Sequence, residues 1–151
     1  YSIAAHIGLG LLIISISLNS QFSSERAINI KINGDDIYKD YRIKFDNLEL
    51  IKMSNHDSVM ASFIIDSPSG KTFVLNPEKR KYFTRGQITT ETAIHATPLK
   101  DIYVTLGDQL DDGSWIVNIQ FNYFIRWIWI SALLMAISGS FLAFSLRGTS
   151  R

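Results

Sequence analysis

Cysteine is absent from the 151 residues, so the chain holds no disulfide framework, no thiolate metal site and no thiol redox chemistry of its own. Absent too are a glycine-rich phosphate loop, a nucleophile elbow and a metal spacing such as HExxH, and the three histidines, His6, His56 and His95, lie far apart in the chain. Acidic residues are missing from both ends. All 14 of them fall between Glu25 and Asp112, together with 12 of the 15 basic residues, which leaves the middle with a net charge of −2. That near-neutral mixture lacks the basic patch that nucleic acid requires. The first residue is Tyr1 rather than Met and opens directly into apolar sequence, which is the expectation for the C-terminal piece of a longer polytopic protein.

What is present is strongly segregated. Residues 124–146 read FIRWIWISALLMAISGSFLAFSL, with no charge after Arg126. At about 1.5 Å of rise per residue this is enough helix to cross a hydrocarbon layer of ~30 Å. Tyr123, Trp127 and Trp129 gather at the headgroup level of one end, while Arg147 and Arg151 follow the other, which predicts a cytoplasmic or matrix C-terminus. Residues 1–18, YSIAAHIGLGLLIISISL, predict a second span, truncated at its start and without the basic n-region of a signal peptide. Its small residues Ala4, Ala5, Gly8, Gly10, Ser15 and Ser17 offer a low-relief surface to another helix or a flat ligand. Two spans place both ends of the intervening residues on one side of the membrane.

Those residues, 19–121, read as β structure. Ile28, Ile30 and Ile32 alternate before a turn at Asn33-Gly34, and Tyr41, Ile43 and Phe45 alternate after it, with Leu48 and Leu50 as an extension, the pattern of a hairpin. A polar loop at 54–58, a strand at 59–66, the turn Ser67-Pro68-Ser69-Gly70 and a strand at 72–75 predict a second hairpin. The basic stretch 76–98 shows no clear period and reads as a loop with one short helical turn at 90–94, capped by Thr89 or Thr90. Strands at 101–106 and 115–121 follow, joined by a turn as one antiparallel hairpin and a rigid stem, with Trp115, Val117, Ile119 and Phe121 facing the core. The expected architecture is two transmembrane α-helices, 1–18 and 122–146, flanking a small all-β barrel or sandwich of six or so strands. Residues 147–151 form a cytoplasmic tail.

Candidate functional residues are few. His56 sits in a polar loop and reads as solvated, and His95 as the donor of a local hydrogen bond or a residue facing a partner. Lys79, Arg80, Lys81 and Arg85 read as a solvated face that also suits lipid headgroups or a ligand's carboxylates. Arg126, inside the aromatic belt, either snorkels to the headgroups or anchors an anionic ligand. His6, alone in an uncharged span, must find either a hydrogen-bond partner on another helix or a metal, because an unsatisfied polar group in hydrocarbon costs several kcal/mol. Gly10 stands one turn from it on the same helical face. On the residues alone, a non-enzymatic membrane-tethered interaction module fits as well as any enzyme.

Six segments carry a resemblance: AAHIGLG at 4–10, SSER at 23–26, PEKRKY at 77–82, TETAI at 90–94, KDIYVTLGD at 100–108, and FIRWIW at 124–129 with LLMA following. In order and spacing they resemble the C-terminal part of the CcmF family, haem lyase subunits of the haem-handling protein superfamily, over essentially the whole chain. The chain departs from the family pattern where Asn122-Tyr123 stands in place of the usual Lys-Pro, and where TETAI replaces TEAAI.

The resemblance implies that the complete protein takes haem from a membrane haem chaperone and delivers it to apocytochrome c, working with a thiol-handling lyase subunit. It implies a b-type haem in the membrane held by histidines of two helices, with His6 matching one axial ligand to the iron and the second ligand outside this chain. Arg126, Trp127 and Trp129 become candidate haem or partner contacts. The implied location is the bacterial inner membrane with the β domain in the periplasm, or the mitochondrial inner membrane.

Overall fold

A computed structural model describes residues 2–84 and 86–148, the last six of these as backbone only. The elements run α1 (Ser2–Phe22), β1 (Ser24–Ile30), β2 (Asp35–Tyr38), β3 (Tyr41–Lys52), β4 (His56–Asp66), β5 (Thr72–Leu75), β6 (Glu78–Tyr82), β7 (Ile88–Glu91), β8 (Ala93–Ala96), β9 (Lys100–Gln109), β10 (Trp115–Tyr123) and α2 (Ile125–Gly148). Arg85 and Arg151, and the side chain of Arg147, lie outside the described residues. Contacts divide the chain into a helical unit, 1–24, 96–101 and 122–151, and a β unit, 25–95 and 102–121.

The β strands form two sheets. One has the order β1-β10-β9-β8, the other β2-β3-β4-β6-β7, with β5 pairing the second half of β4. This is a sandwich and not a closed barrel. Its core is the alternation of the strands themselves: Ile28 and Ile30, Val104 and Leu106, and Val117, Ile119 and Phe121 from one sheet, and Ile43, Phe45, Phe63 and Ile65 from the other, are all buried. Each such side chain contributes roughly 1.5–3 kcal/mol of transfer free energy. Phe45 meets Phe63 with ring centroids 4.6 Å apart, and Phe121 lies between Tyr38 and Tyr41 at 5.4 and 5.1 Å.

Several expectations are corrected. The first hairpin does not turn at Asn33-Gly34, because β1 pairs with β10 in the other sheet. Asn33 does adopt φ 65°, and Gly34 N–H donates to the Lys31 carbonyl, but this turn carries the chain from one sheet to the other, leaving Ile32 exposed. The true hairpin joins β2 to β3 through Lys39 and Asp40, both at positive φ, as a two-residue turn compatible with strand twist requires. The supposed loop and helical turn at 76–98 are three strands. Lys79 pairs with Thr90 and Arg80 with Thr89, so the β-branched threonines that looked like helix caps serve a ladder instead. His56 belongs to β4, opposite Tyr82, rather than to a polar loop. The expected extension at Leu48 and Leu50 does belong to β3: a bulge between Phe45 and Asn47 shifts the register, so these two leucines stand opposite Ala61 and Val59, on the face that carries Phe45 and Phe63.

In the helical unit both helices are long and apolar enough to cross a membrane, with mean hydropathies of 1.7 and 1.6, and only 11% of each span is buried within the chain. Core helices of soluble proteins are mostly covered; these are not. α1 runs on to Phe22, past the polar residues at which it was expected to stop. The two helices meet along residues seven apart: Gly8 and Ser15 on α1, Ser131 and Ser138 on α2, all buried. Gly8 is required there, because a Cβ would lie 2.8 Å from Met135 Cγ and 3.3 Å from the Ser131 carbonyl oxygen. Ser15, Ser131 and Ser138 each donate their hydroxyl to the carbonyl four residues back, so no polar group is left bare at the seam.

Val117 is fully buried on β10, whereas its neighbour Asn118 is not. Val117→Asp is expected to unfold the β unit, since an unpaired buried carboxylate costs several kcal/mol against a total stability of about 5–15 kcal/mol. Asn118→Ser should change the urea midpoint little. Equal tolerance at the two positions would show the register to be wrong.

Candidate functional site

His6 occupies the second turn of α1, on the exposed side of the helix. Its Nδ1 lies 2.7 Å from the carbonyl oxygen of Ser2, one turn back, with the Ser2 hydroxyl at 3.4 Å. An imidazole in that position donates Nδ1–H to the carbonyl, which fixes the tautomer and puts the lone pair on Nε2. Ala5, Leu9 and Met135 line a shallow apolar hollow of about 260 Å³ beside the ring. One turn on, Gly10 is open, with nothing within 4 Å of the place a Cβ would take, whereas the glycine under close helix contact is Gly8. An imidazole engaged by a carbonyl at Nδ1, beside an apolar hollow, keeps Nε2 as the nitrogen with a lone pair and so fits one axial position of a haem iron. Among the described residues no three His, Asp or Glu converge as a chelating metal site.

A second constellation lies at the end of α2. Asp101 is buried, and its Oδ1 accepts the Thr97 N–H at 3.2 Å and faces Arg126 Nε at 3.4 Å. Trp127 Nε1–H donates to the Pro98 carbonyl at 3.0 Å, and Phe124 N–H to the Leu99 carbonyl at 2.9 Å. Asn19 Nδ2 donates to the Tyr123 carbonyl at 2.6 Å, and Tyr123 N–H to Ser23 Oγ at 3.2 Å. Phe124 itself sits at φ 59°, an uncommon conformation for an aromatic residue, between strand and helix. Arg126 and Trp127 are thus tied into this collar, while Trp129 projects freely, 73% exposed. The roles of Asn19, Ser23, Pro98 and Asp101 had no signal in the sequence, because their partners stand 25 to 104 residues away.

The remaining candidates fall in the β unit. His95 stacks on Phe73, centroids 3.8 Å apart and planes at 11°, and His56 Nδ1 lies 2.7 Å from Asn55 Oδ1 beside the Tyr82 ring. Two members of the basic cluster are neutralised: Lys79 pairs with Asp108, and Arg80 with Glu78 and Glu91. The hydrogen bonds from Arg80 hold the Glu78 carboxyl below its ordinary value, and Glu78 in turn raises that of Arg80. Hydrogen bonds from the Ser114 hydroxyl and N–H likewise lower Asp112.

Carboxyls held low in the folded state add stability that is complete above their unfolded values, 4.5 for Glu78 and 3.8 for Asp112, and is lost as pH falls through the folded ones. Thermal stability should therefore fall on acidification below about 4.5, with Glu78→Gln showing a shallower acid slope than the parent protein. An unchanged slope would remove Glu78 from the account. For the collar, Arg126→Gln should destabilise by about 1–3 kcal/mol by orphaning a buried carboxylate, and Asp101→Asn should restore most of the loss. Absence of coupling in that double-mutant cycle would mean that Arg126 acts elsewhere.

A family profile described as "CcmF C-terminal beta-sandwich" matches residues 21–122. The chain is 33% identical over 150 residues to the cytochrome c-type biogenesis protein CcmF of Escherichia coli K12, a match covering 99% of this chain and 23% of that one. It is 32% identical over 143 residues to CcmF of Pseudomonas aeruginosa, covering 95% and 22%, and 25% identical to NrfE of Haemophilus influenzae, covering 96% and 23%. The chain therefore spans less than a quarter of the length of the curated relatives it matches. Among solved structures, "Cytochrome c Heme Lyase CcmF" superposes with a TM-score of 0.68 at 12% identity, over 90% of this chain and 23% of that one, a likeness of fold.

Proposed function

The chain belongs to the CcmF family, and from that premise we propose that it forms part of a cytochrome c maturation haem lyase whose full-length protein passes haem from a membrane haem chaperone to apocytochrome c alongside a thiol-handling subunit. The observation that carries the reading is the state of His6: Nδ1 is engaged by the Ser2 carbonyl, and Nε2 has no partner among the described residues, on an exposed part of an apolar helix. In this reading His6 provides one axial ligand of a b-type haem in the membrane, and the second comes from a helix outside this chain. The haem, when bound, supplies electron transfer that keeps incoming haem iron reduced. The chain's own part is to present a neutral imidazole in one tautomer, to leave room beside it at Gly10, and to hold α1 against α2 through Gly8. Neither helix carries a charged residue between Ser2 and Asn19 or between Trp127 and Leu146, so no side-chain carboxylate or ammonium competes with the imidazole there.

In the complete protein, His6→Ala is expected to abolish the low-spin bis-histidine absorption and lower haem content, while His56→Ala, hydrogen-bonded to Asn55 in the β unit, leaves both intact. A wild-type spectrum in the His6→Ala protein would discard the ligand assignment in favour of a hydrogen bond to a neighbouring helix. The β unit is assigned to the periplasmic side or its mitochondrial equivalent, from the arginines after α2. A cysteine placed at the exposed Ser69 should react with an impermeant maleimide in intact cells; reaction only after the cytoplasmic side is opened would invert the topology.

A further inference from the structure

The inner face of the larger sheet is longer than its cover. Phe45 and Phe63, then Ala61, lie in the core, but the same face continues along β3 and β4 to Leu50, paired with Val59. There the opposing sheet no longer covers it: Leu50 is 76% exposed and Ile88, on β7, 55%. A cavity of about 330 Å³ lies over this stretch. Leu50 and Ile88 stand on the outer strands of the row β3-β4-β6-β7. Three strand spacings of ~4.8 Å make the trough roughly 14 Å wide, a match for an α-helix about 10–12 Å in diameter.

The charge around the trough has one sign in excess. Lys52, Asp57 and Lys81 stand side by side across β3, β4 and β6, so one carboxylate faces two ammonium groups, and none of the three forms an ion pair among the described residues. Lys79, whose ammonium bonds the Gly107 carbonyl and Asp108, marks the line where the cover ends. We propose that this uncovered face docks an acidic amphipathic helix of a partner protein, its apolar side on Leu50, Val59 and Ile88 and its carboxylates toward Lys52 and Lys81. The surface serves recognition and is separate from His6; the proposal stands whether or not that histidine binds haem.

The test uses the complete protein in zwitterionic lipid nanodiscs and a fluorescein-labelled peptide of about 18 residues, with leucine at helical spacing and glutamate on the polar face. Anisotropy should report saturable binding that weakens with salt, and a sister peptide with lysine for glutamate should bind at least about tenfold more weakly. Leu50→Asp should cost about tenfold or more without lowering the unfolding temperature, because the side chain is exposed. Lys52→Glu combined with Lys81→Glu should reverse the preference between the two peptides. His6→Ala should leave binding unchanged, which separates this outcome from that of the haem-ligand reading. Equal binding to empty nanodiscs, to Leu50→Asp or to the charge-reversed protein would overturn the proposal. So would displacement of the peptide by dioctanoyl phosphatidylglycerol below its micelle concentration, which would mark the face as a lipid site.

Discussion

A carboxylate out of water needs a counter-charge, and the collar at the start of α2 is arranged around that need at Asp101. Arg126 approaches from the first turn of α2, and the Thr97 N–H fills a second place on the same oxygen. With Arg126 committed, Trp127 follows it into a bond with the Pro98 carbonyl, and Phe124 into one with Leu99, so three residues at the start of one helix are fixed by one five-residue segment. Asn19 and Ser23 tie the end of α1 to Tyr123 in the same unit. Polar groups where hydrocarbon begins have few partners to choose from, and here each of these finds one within the chain.

Between the spans the physics changes from charge to shape. Lipid tails are as apolar as leucine, so two helices gain nothing by hiding leucine from lipid and must gain by touching closely. Gly8 permits that touch, and the three buried serines satisfy their hydroxyls without widening the gap. The isoleucines and phenylalanines that make the spans apolar point outward instead, available to lipid or to other helices.

Local patterns were legible in the sequence, and pairings across distance were not. Alternation placed Val117, Ile119 and Phe121 in the core, and the uncharged runs marked both spans, because period and hydropathy act over a few residues. Asn33-Gly34 was legible as a turn, yet the partner of β1 is set by burial against β10, some 90 residues on, which no local signal carries. Thr89 and Thr90 were misread because threonine serves both caps and strands, and only the ladder to Arg80 and Lys79 decides between them. His6 stood out through its isolation in an apolar span; its bond to Ser2 follows from helical geometry, which sets residues four apart on one face. Trp127 was legible only as an interfacial ring, and its bond to Pro98 had no local trace.

Phe124 holds a left-handed conformation between Tyr123, the last residue of β10, and Ile125, the first of α2. That single residue is the whole joint. Each residue added or removed there would turn α2 by roughly 100° about its axis, since a helix repeats every 3.6 residues. Such a turn would carry Ser131 and Ser138 away from Gly8 together with every side chain below them. The joint therefore works as a phase lock: the length of this connection, and not the identity of the amino acids flanking it, decides which face of α2 the small-residue seam falls on.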